Sequence, residues 1–311
     1  MNGNSILIIG DTHFHNWKYQ SLNRYQKEFQ DYLLSFVREQ RIRGVVFLGD
    51  IFDNRRLVDK VLVGEIQDFF AELAKLAVVY VVAGNHDYYD GAFTPLPNIL
   101  KQCRVITEPK VELFSGRKLG FLPYPYWKIT DHEKVAEADL IFGHIEVYGK
   151  EYYPGGAKST DGLLEIYANK LYFLGHYHHP SENGQIIYVG AILQKSLADL
   201  GVRMSLILLD LDTFERKRIP LPHPEFVVAV TREEYEDLVK RAANEKIIPV
   251  FQPVKKLVSL ESAIKDSENS LFNIHAFIEK VIIDMAKANG ISPEFGLELL
   301  RKVSQGGGGM E

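Results

Sequence analysis

Five short blocks in this 311-residue chain set metal-ligand side chains at close spacing: Asp11-Thr-His13, Gly49-Asp50-Ile-Phe-Asp53, Gly84-Asn85-His86-Asp87, Gly143-His144 and Gly175-His176-Tyr-His178. Imidazole nitrogen with carboxylate and amide oxygen is a donor set that divalent first-row metals accept. Residues two apart in an extended segment point to the same side, so Asp11 with His13, and His176 with His178, can each bring two donors to one cluster. The glycines ahead of Asp50, Asn85, His144 and His176 let the chain turn sharply. A single carboxylate can bridge two cations, and Asp50, whose block stands alone, is the natural candidate. Two cations about 3.5–4 Å apart can share a water, lower its pKa and clamp both ends of an in-line phosphoryl displacement. His86, beside Asn85, is placed to stabilise or protonate the leaving oxygen.

Other residues have narrower readings. Asp53 is read either as a brace behind the ligands or as a residue that orients its loop, and Asp87 as a brace of its own loop. His15 and His179 are read as surface or substrate-contacting residues. Arg55, Arg56 and Lys128 are candidates for phosphate contacts, the last beside the aromatic run Tyr124-Pro-Tyr-Trp127, which could stack on bases. His132, His223 and His275 are read as ordinary histidines, and Cys103 as a small, buried or half-buried residue. Each block alone is compatible with plain turn chemistry. All five in order, each behind an apolar run, are not.

The elements that must position them are legible as apolar runs. Residues 6–10, 45–49, 78–84, 119–122, 140–144, 171–176, 186–190 and 205–211 read as buried strands. Residues 25–40 and 59–76 carry helical spacing. Strand–helix alternation followed by mostly strands predicts an α/β layered fold, with the chemistry just beyond strand ends. The charged, proline-rich stretch 216–224 predicts a boundary between domains 1–222 and 223–311. Beyond it, 226–230 reads as a strand and Thr231-Arg-Glu-Glu234 as a capping box opening a helix to about residue 243. A further amphipathic helix is predicted over 271–288, a short one after Pro293, and a flexible glycine-rich tail.

Bulk properties exclude little. One cysteine rules out an intrachain disulfide framework, and with the absence of a leader-like N-terminus it predicts a cytoplasmic protein. No apolar run approaches the roughly 20 residues of a membrane span, so no membrane partner is expected. A net charge of −5 argues against a broadly basic nucleic-acid coat but leaves DNA open as a substrate.

Over residues 5–215 these blocks resemble the calcineurin-like metallophosphoesterase superfamily, whose pattern is D-x-H, G-D-x-x-D, G-N-H-D/E, G-H and G-H-x-H. The resemblance implies a four-layer α/β/β/α sandwich with a small C-terminal α+β capping domain. It also implies one metal on Asp11, His13, Asp50 and His178, a second on Asp50, Asn85, His144 and His176, and His86 as the catalytic histidine. Within the superfamily, Asp87 stands where serine/threonine phosphatases carry Glu, and GDIFDNRR replaces their GDYVDRG. The stretch GHYHHPSENGQIIYVGA is similar to SbcD-type double-strand-break repair nucleases and the small subunit of the phage recombination endonuclease. Asp53 departs from the His of many cellular members, so any auxiliary role of that His is absent.

The nuclease likeness implies manganese-dependent cleavage of DNA, exonucleolytic on duplex and endonucleolytic on single strands. It further implies homodimerisation and an SbcC-type coiled-coil P-loop ATPase as partner, docked through 271–288 or the helix after Pro293. Two other expectations compete: a small-molecule or cyclic-nucleotide phosphodiesterase with the same metals, and a non-catalytic scaffold on the same fold. The scaffold expects gaps in the ligand set, and the sequence has none.

Overall fold

Strands β1 (Ser5–Ile9), β2 (Gly44–Phe47), β3 (Val78–Val82) and β4 (Arg104–Ile106) run parallel in that order, with helices α1 (Gln20–Glu39) and α2 (Lys60–Leu76) between them. The fold is that of a computed structural model, which describes residues 4–17, 20–56, 58–90, 93–126, 128–149, 158–160, 162–163, 166–195, 199–229, 231–242 and 245–251. Parallel strands are covered on both faces, which is why β1, β2 and β3 read as apolar runs. Ile6, Ile8, Val46 and Leu48 point into the interior between two sheets. Phe47 points the other way and meets Phe70 of α2 at 4.7 Å between ring centres. Helix α2 starts at Asp59, whose carboxylate accepts the Val61 and Leu62 N–H groups and so satisfies two otherwise orphaned donors.

After the single turn α3 (Leu96–Ile99), the second sheet gathers β5 (Lys110–Phe114), β6 (Arg117–Leu122), β7 (Leu140–Gly143), β8 (Leu171–Leu174), β9 (Ser181–Asn183) and β10 (Ile186–Tyr188). Their order across the sheet is β5-β6-β7-β8-β10-β9. Leu140 and Phe142 of β7 face the first sheet, whereas Ile141 faces outward with Val135 and Ala138, just beyond α4 (Ile129–Glu133). A file of rings crosses the interior: Tyr80 stacks on Phe121 at 5.0 Å, Phe121 on Phe142 at 5.7 Å and Phe142 on Phe173 at 5.5 Å. The layers are therefore helices, sheet, sheet, and a thin outer cover of α4 with irregular chain.

Two later strands complete the first sheet. β11 (Ser205–Asp210) pairs antiparallel with β1, and β12 (Arg216–Pro220) pairs with β11 at the edge. The stretch from residue 216 therefore opens with a strand. Its charges are tolerated because an edge strand is half solvated, and Pro220 ends it. Beyond it, β13 (Glu225–Ala229) and β14 (Ile247–Phe251) form a ribbon in which the Glu225 N–H meets the Lys246 carbonyl at 3.0 Å. Helix α5 (Arg232–Arg241) opens with the capping box read from the sequence: Glu234 N–H to Thr231 Oγ1 at 3.2 Å, Thr231 N–H to Glu234 Oε2 at 3.0 Å.

The chain divides into two compact units, Met1–Tyr152 with Lys158–Val227 and Lys240–Ile248, and Tyr153–Ala157 with Val228–Val239 and Pro249–Glu311. The helices predicted at 271–288 and after Pro293, His275 and the glycine-rich tail lie outside the described residues. Among the described residues no helix is long and apolar enough to cross a membrane.

Candidate metal centre

In each sheet the parallel strands end along one edge, and the loops leaving those ends carry the five blocks. Asp11 and His13 follow β1, Asp50 follows β2, and Asn85 opens a 3-10 turn, Asn85–Asp87, after β3. From the second sheet, His144 follows β7 and His176 and His178 follow β8. The β1 and β2 loops are zipped together, His13 N–H to the Asp50 carbonyl at 2.8 Å and Phe14 N–H to the Ile51 carbonyl at 2.8 Å. His13, Asp50 and His176 adopt φ of 45°, 49° and 84°, a left-handed conformation that costs a residue with a side chain about 1–3 kcal/mol. The neighbours leave little choice: a β-carbon on Gly84 would lie 2.3 Å from Asp50 Oδ1 and 2.4 Å from the Asp50 nitrogen.

Two groups of lone-pair atoms result. Asp50 Oδ2 lies 3.6 Å from His13 Nε2, which lies 3.1 Å from His178 Nε2. Asp11 joins those two histidines in a set that could hold one cation. Asp50 Oδ1 lies 3.4 Å from His144 Nε2. That nitrogen is 2.8 Å from Asn85 Oδ1 and 3.3 Å from His176 Nδ1, and the last two are 3.0 Å apart. One carboxylate thus faces both groups, with a different oxygen toward each. Donors bound at about 2.1 Å to one cation stand about 3.0–3.4 Å from each other, and the separations found are of that size.

The surroundings fix which nitrogen of each ring points inward. His144 directs Nδ1 to the Leu48 carbonyl at 2.7 Å, and His176 directs Nε2 to Glu146 Oε1 at 2.9 Å. His13 Nδ1 faces Asp53 Oδ1 at 3.3 Å. For His144 and His176, a ring N–H given to the outer acceptor leaves the lone pair of the other nitrogen facing the cluster. His86 is anchored differently. Its Nδ1 meets the Asp53 carbonyl and its backbone N–H donates to Asp50 Oδ1 at 2.7 Å, and among the described residues Nε2 makes no hydrogen bond.

The calcineurin-like phosphoesterase profile matches residues 5–180, more than half of the chain. The chain belongs to that family. Curated relatives include exonuclease subunit 1 of Enterobacteria phage T4, 23% identical over 202 residues, or 60% of this chain and 58% of that protein. The chain thus spans under two thirds of that relative's length. Similar solved structures include an archaeal phosphodiesterase, with TM-score 0.38 and 12% identity over 70% of this chain and 99% of that one. Another is the Pseudomonas putida nuclease MPE, with TM-score 0.33 and 14% identity over 58% and 66%.

Calcineurin-like phosphoesterases are hydrolases that use divalent metals, and the electrostatics of this cluster fit such a group. Burial pulls His13 down to about 4, helped by Lys195, and pulls His144 down to about 4 as well. Burial, then the neighbouring His13, lowers His178. Burial raises Asp11 and Asp87, and the charge of Asp50 raises both further. For Asp50 itself burial opposes ionisation, but His144 and His13 outweigh it and hold the carboxyl well below the usual range. Burial also opposes ionisation of Asp53, and there the hydrogen bond with His13 and the charge of Lys195 prevail. Rings kept neutral by burial, beside an ionised Asp50 and the buried Asp11 and Asp87 carboxyls that resist ionising, form a cavity whose energy a cation would lower.

The seven ligand-type residues and His86 lie around one cluster at the strand ends. Asp87 accepts the Ile51 N–H at 2.9 Å and the Gly84 N–H at 2.8 Å, tying two of the loops to each other. Asp53 faces His13 and belongs, with His13 and His86, to a second set that could hold a metal. His15 is half-buried with its ring edge-on to Trp17 at 5.1 Å. Arg55, Arg56 and Lys128 are exposed, with Arg56 5.8 Å over the ring of Tyr89. His132 meets the Tyr172 hydroxyl at 2.7 Å, and His223 takes the Met204 N–H at 3.1 Å.

Three residues behind the cluster escaped the sequence reading: Glu146, Lys195 and Asp199. Glu146 had a signal, since it stands two after His144 just as His13 stands two after Asp11. Lys195 and Asp199 had none, because their partners are distant in sequence.

Proposed function

We propose that this chain is a manganese-dependent DNA nuclease that hydrolyses phosphodiesters with two cations, exonucleolytic on duplex and endonucleolytic on single strands. The observation that carries the two-cation reading is Asp50, each of whose oxygens faces a separate group of donors. One cation would be held by Asp11, His13, Asp50 and His178, the other by Asp50, Asn85, His144 and His176. Cations so placed would supply an activated water and neutralise charge on the phosphate.

The chain's own residues do the rest. Buried Asp11, His13, Asp50 and His144 form the floor, and half-buried Asn85, His86, His176 and His178 form the face a phosphodiester approaches. His86, anchored through Nδ1 on the Asp53 carbonyl, offers Nε2 to protonate the leaving oxygen. His15, Arg55, Arg56 and Lys128 contact the nucleic-acid backbone. Residues 1–222 carry the chemistry and 223–311 cap the substrate and bind the partner.

The choice of DNA is supported by the phage relative, which bears the name exonuclease subunit 1, and by the GDIFDNRR and GNHD blocks. "Subunit" in that name also supports a partner, read here as an SbcC-type coiled-coil P-loop ATPase, alongside a homodimer in the cytoplasm. Purified protein with manganese should degrade linear duplex DNA and nick single-stranded circles, and a chelator should abolish both. Brisk turnover of cyclic nucleotides with DNA left intact would overturn the nuclease reading.

A further inference from the structure

We infer that Lys195 and Asp199 together build one of the two cation sites, with Lys195 as a positioning residue for His13. The inference rests on the two-cation reading above. Four rings face the cluster, but their outer supports differ in kind. His144 leans on a main-chain carbonyl at the end of β2, and His176 on Glu146, its neighbour across the β7 loop. Both supports come from the strand ends themselves.

His13 and His178 are supported from elsewhere. His13 Nδ1 faces Asp53 Oδ1 at 3.3 Å, and Lys195 Nζ holds that same oxygen at 2.8 Å. Asp199 Oδ1 lies 4.0 Å from His178 Nδ1 and 3.4 Å from His179 Nε2. The other Asp199 oxygen accepts the Lys195 N–H at 2.9 Å, which ties the two residues together. This linked pair therefore stands behind both rings of a single site, Lys195 behind His13 through Asp53 and Asp199 beside His178. Those rings meet at Nε2, 3.1 Å apart.

The pairing of Lys195 with Asp53 is not a surface ion pair of small consequence. Lys195 is 16% exposed, and its partner's carboxylate is the one that orients a fully buried ligand-type ring. An ammonium this close also repels a cation, so its presence is useful only if it fixes Asp53. Without Lys195, Asp53 is free to rotate toward solvent, and His13 loses the contact that points Nε2 inward. The site that depends on Glu146 should be untouched.

The test is a manganese titration of metal-free protein by calorimetry, with the spin-coupled signal of a manganese pair followed by electron paramagnetic resonance. Wild type should bind two ions per chain with a coupled spectrum. Lys195→Gln should keep one ion at wild-type affinity, weaken the other about 10–100-fold and lose the coupling, and Lys195→Arg should restore both. Asp199→Asn should act on the same ion, whereas Glu146→Gln should weaken the opposite one. Two ions at wild-type affinity with an intact coupled spectrum in both Lys195→Gln and Asp199→Asn would overturn the inference while leaving the proposed function standing. A wild-type chain that binds fewer than two ions would sink the two-cation reading itself, and this inference with it.

Discussion

At Asp50 the backbone is held at φ 49° and neither carboxylate oxygen can turn away: one accepts the His86 N–H, the other faces His13. His86→Ala removes the ring but leaves that backbone N–H, so both ions should remain bound. The rate on a simple diester should fall about 10²–10⁴-fold; an unchanged rate would remove the role given to His86. Gly84→Ala drives a β-carbon against Asp50. Overpacking of this kind costs about 1–3 kcal/mol, to be read by denaturant melts, and manganese uptake should fall with it. These ligand-type residues were legible because donor chemistry is written in local spacing. Lys195 and Asp199 were not, because a brace is defined by where the chain returns in space, and Asp53 and Lys195 are brought together only by folding.

Among elements, the strands flanking the site were legible for the same reason that they are stable. β1, β2, β3, β7 and β8 are covered on both faces, so charged residues are excluded throughout. β4, β5, β9 and β12 escaped notice because they are short or lie at sheet edges and mix charge with apolar residues. The same packing buries phenols. Burial pushes Tyr88 up to about 12, and raises Tyr25 and Tyr172 as well. A folded value above the unfolded one of about 10 means that this stability is whole below pH 10 and is lost as pH rises through 12. In alkaline titration, the slow fraction of tyrosinate absorbance at 295 nm should appear together with loss of circular dichroism. Smooth ionisation of every tyrosine with the fold intact would contradict this.

For the whole molecule, every ligand-type residue lies within the span matched by the family profile, 5–180. Deleting residues 268–311 should therefore leave manganese-dependent hydrolysis of bis-p-nitrophenyl phosphate unchanged while abolishing co-purification with a coiled-coil ATPase. Retained co-purification would move the docking surface off the predicted C-terminal helices. Ligand-type residues also arrive from both sheets: Asp11, His13, Asp50 and Asn85 from one, His144, His176 and His178 from the other. A cation pair bound in that position would rivet the sandwich. Sliding either sheet by one residue would carry half the donors about 3.3 Å away, farther than any metal bond stretches. Selection on catalysis is thereby also selection on inter-sheet alignment, so volume changes in the ring file from Tyr80 to Phe173 should meet an activity limit well before they meet a stability limit.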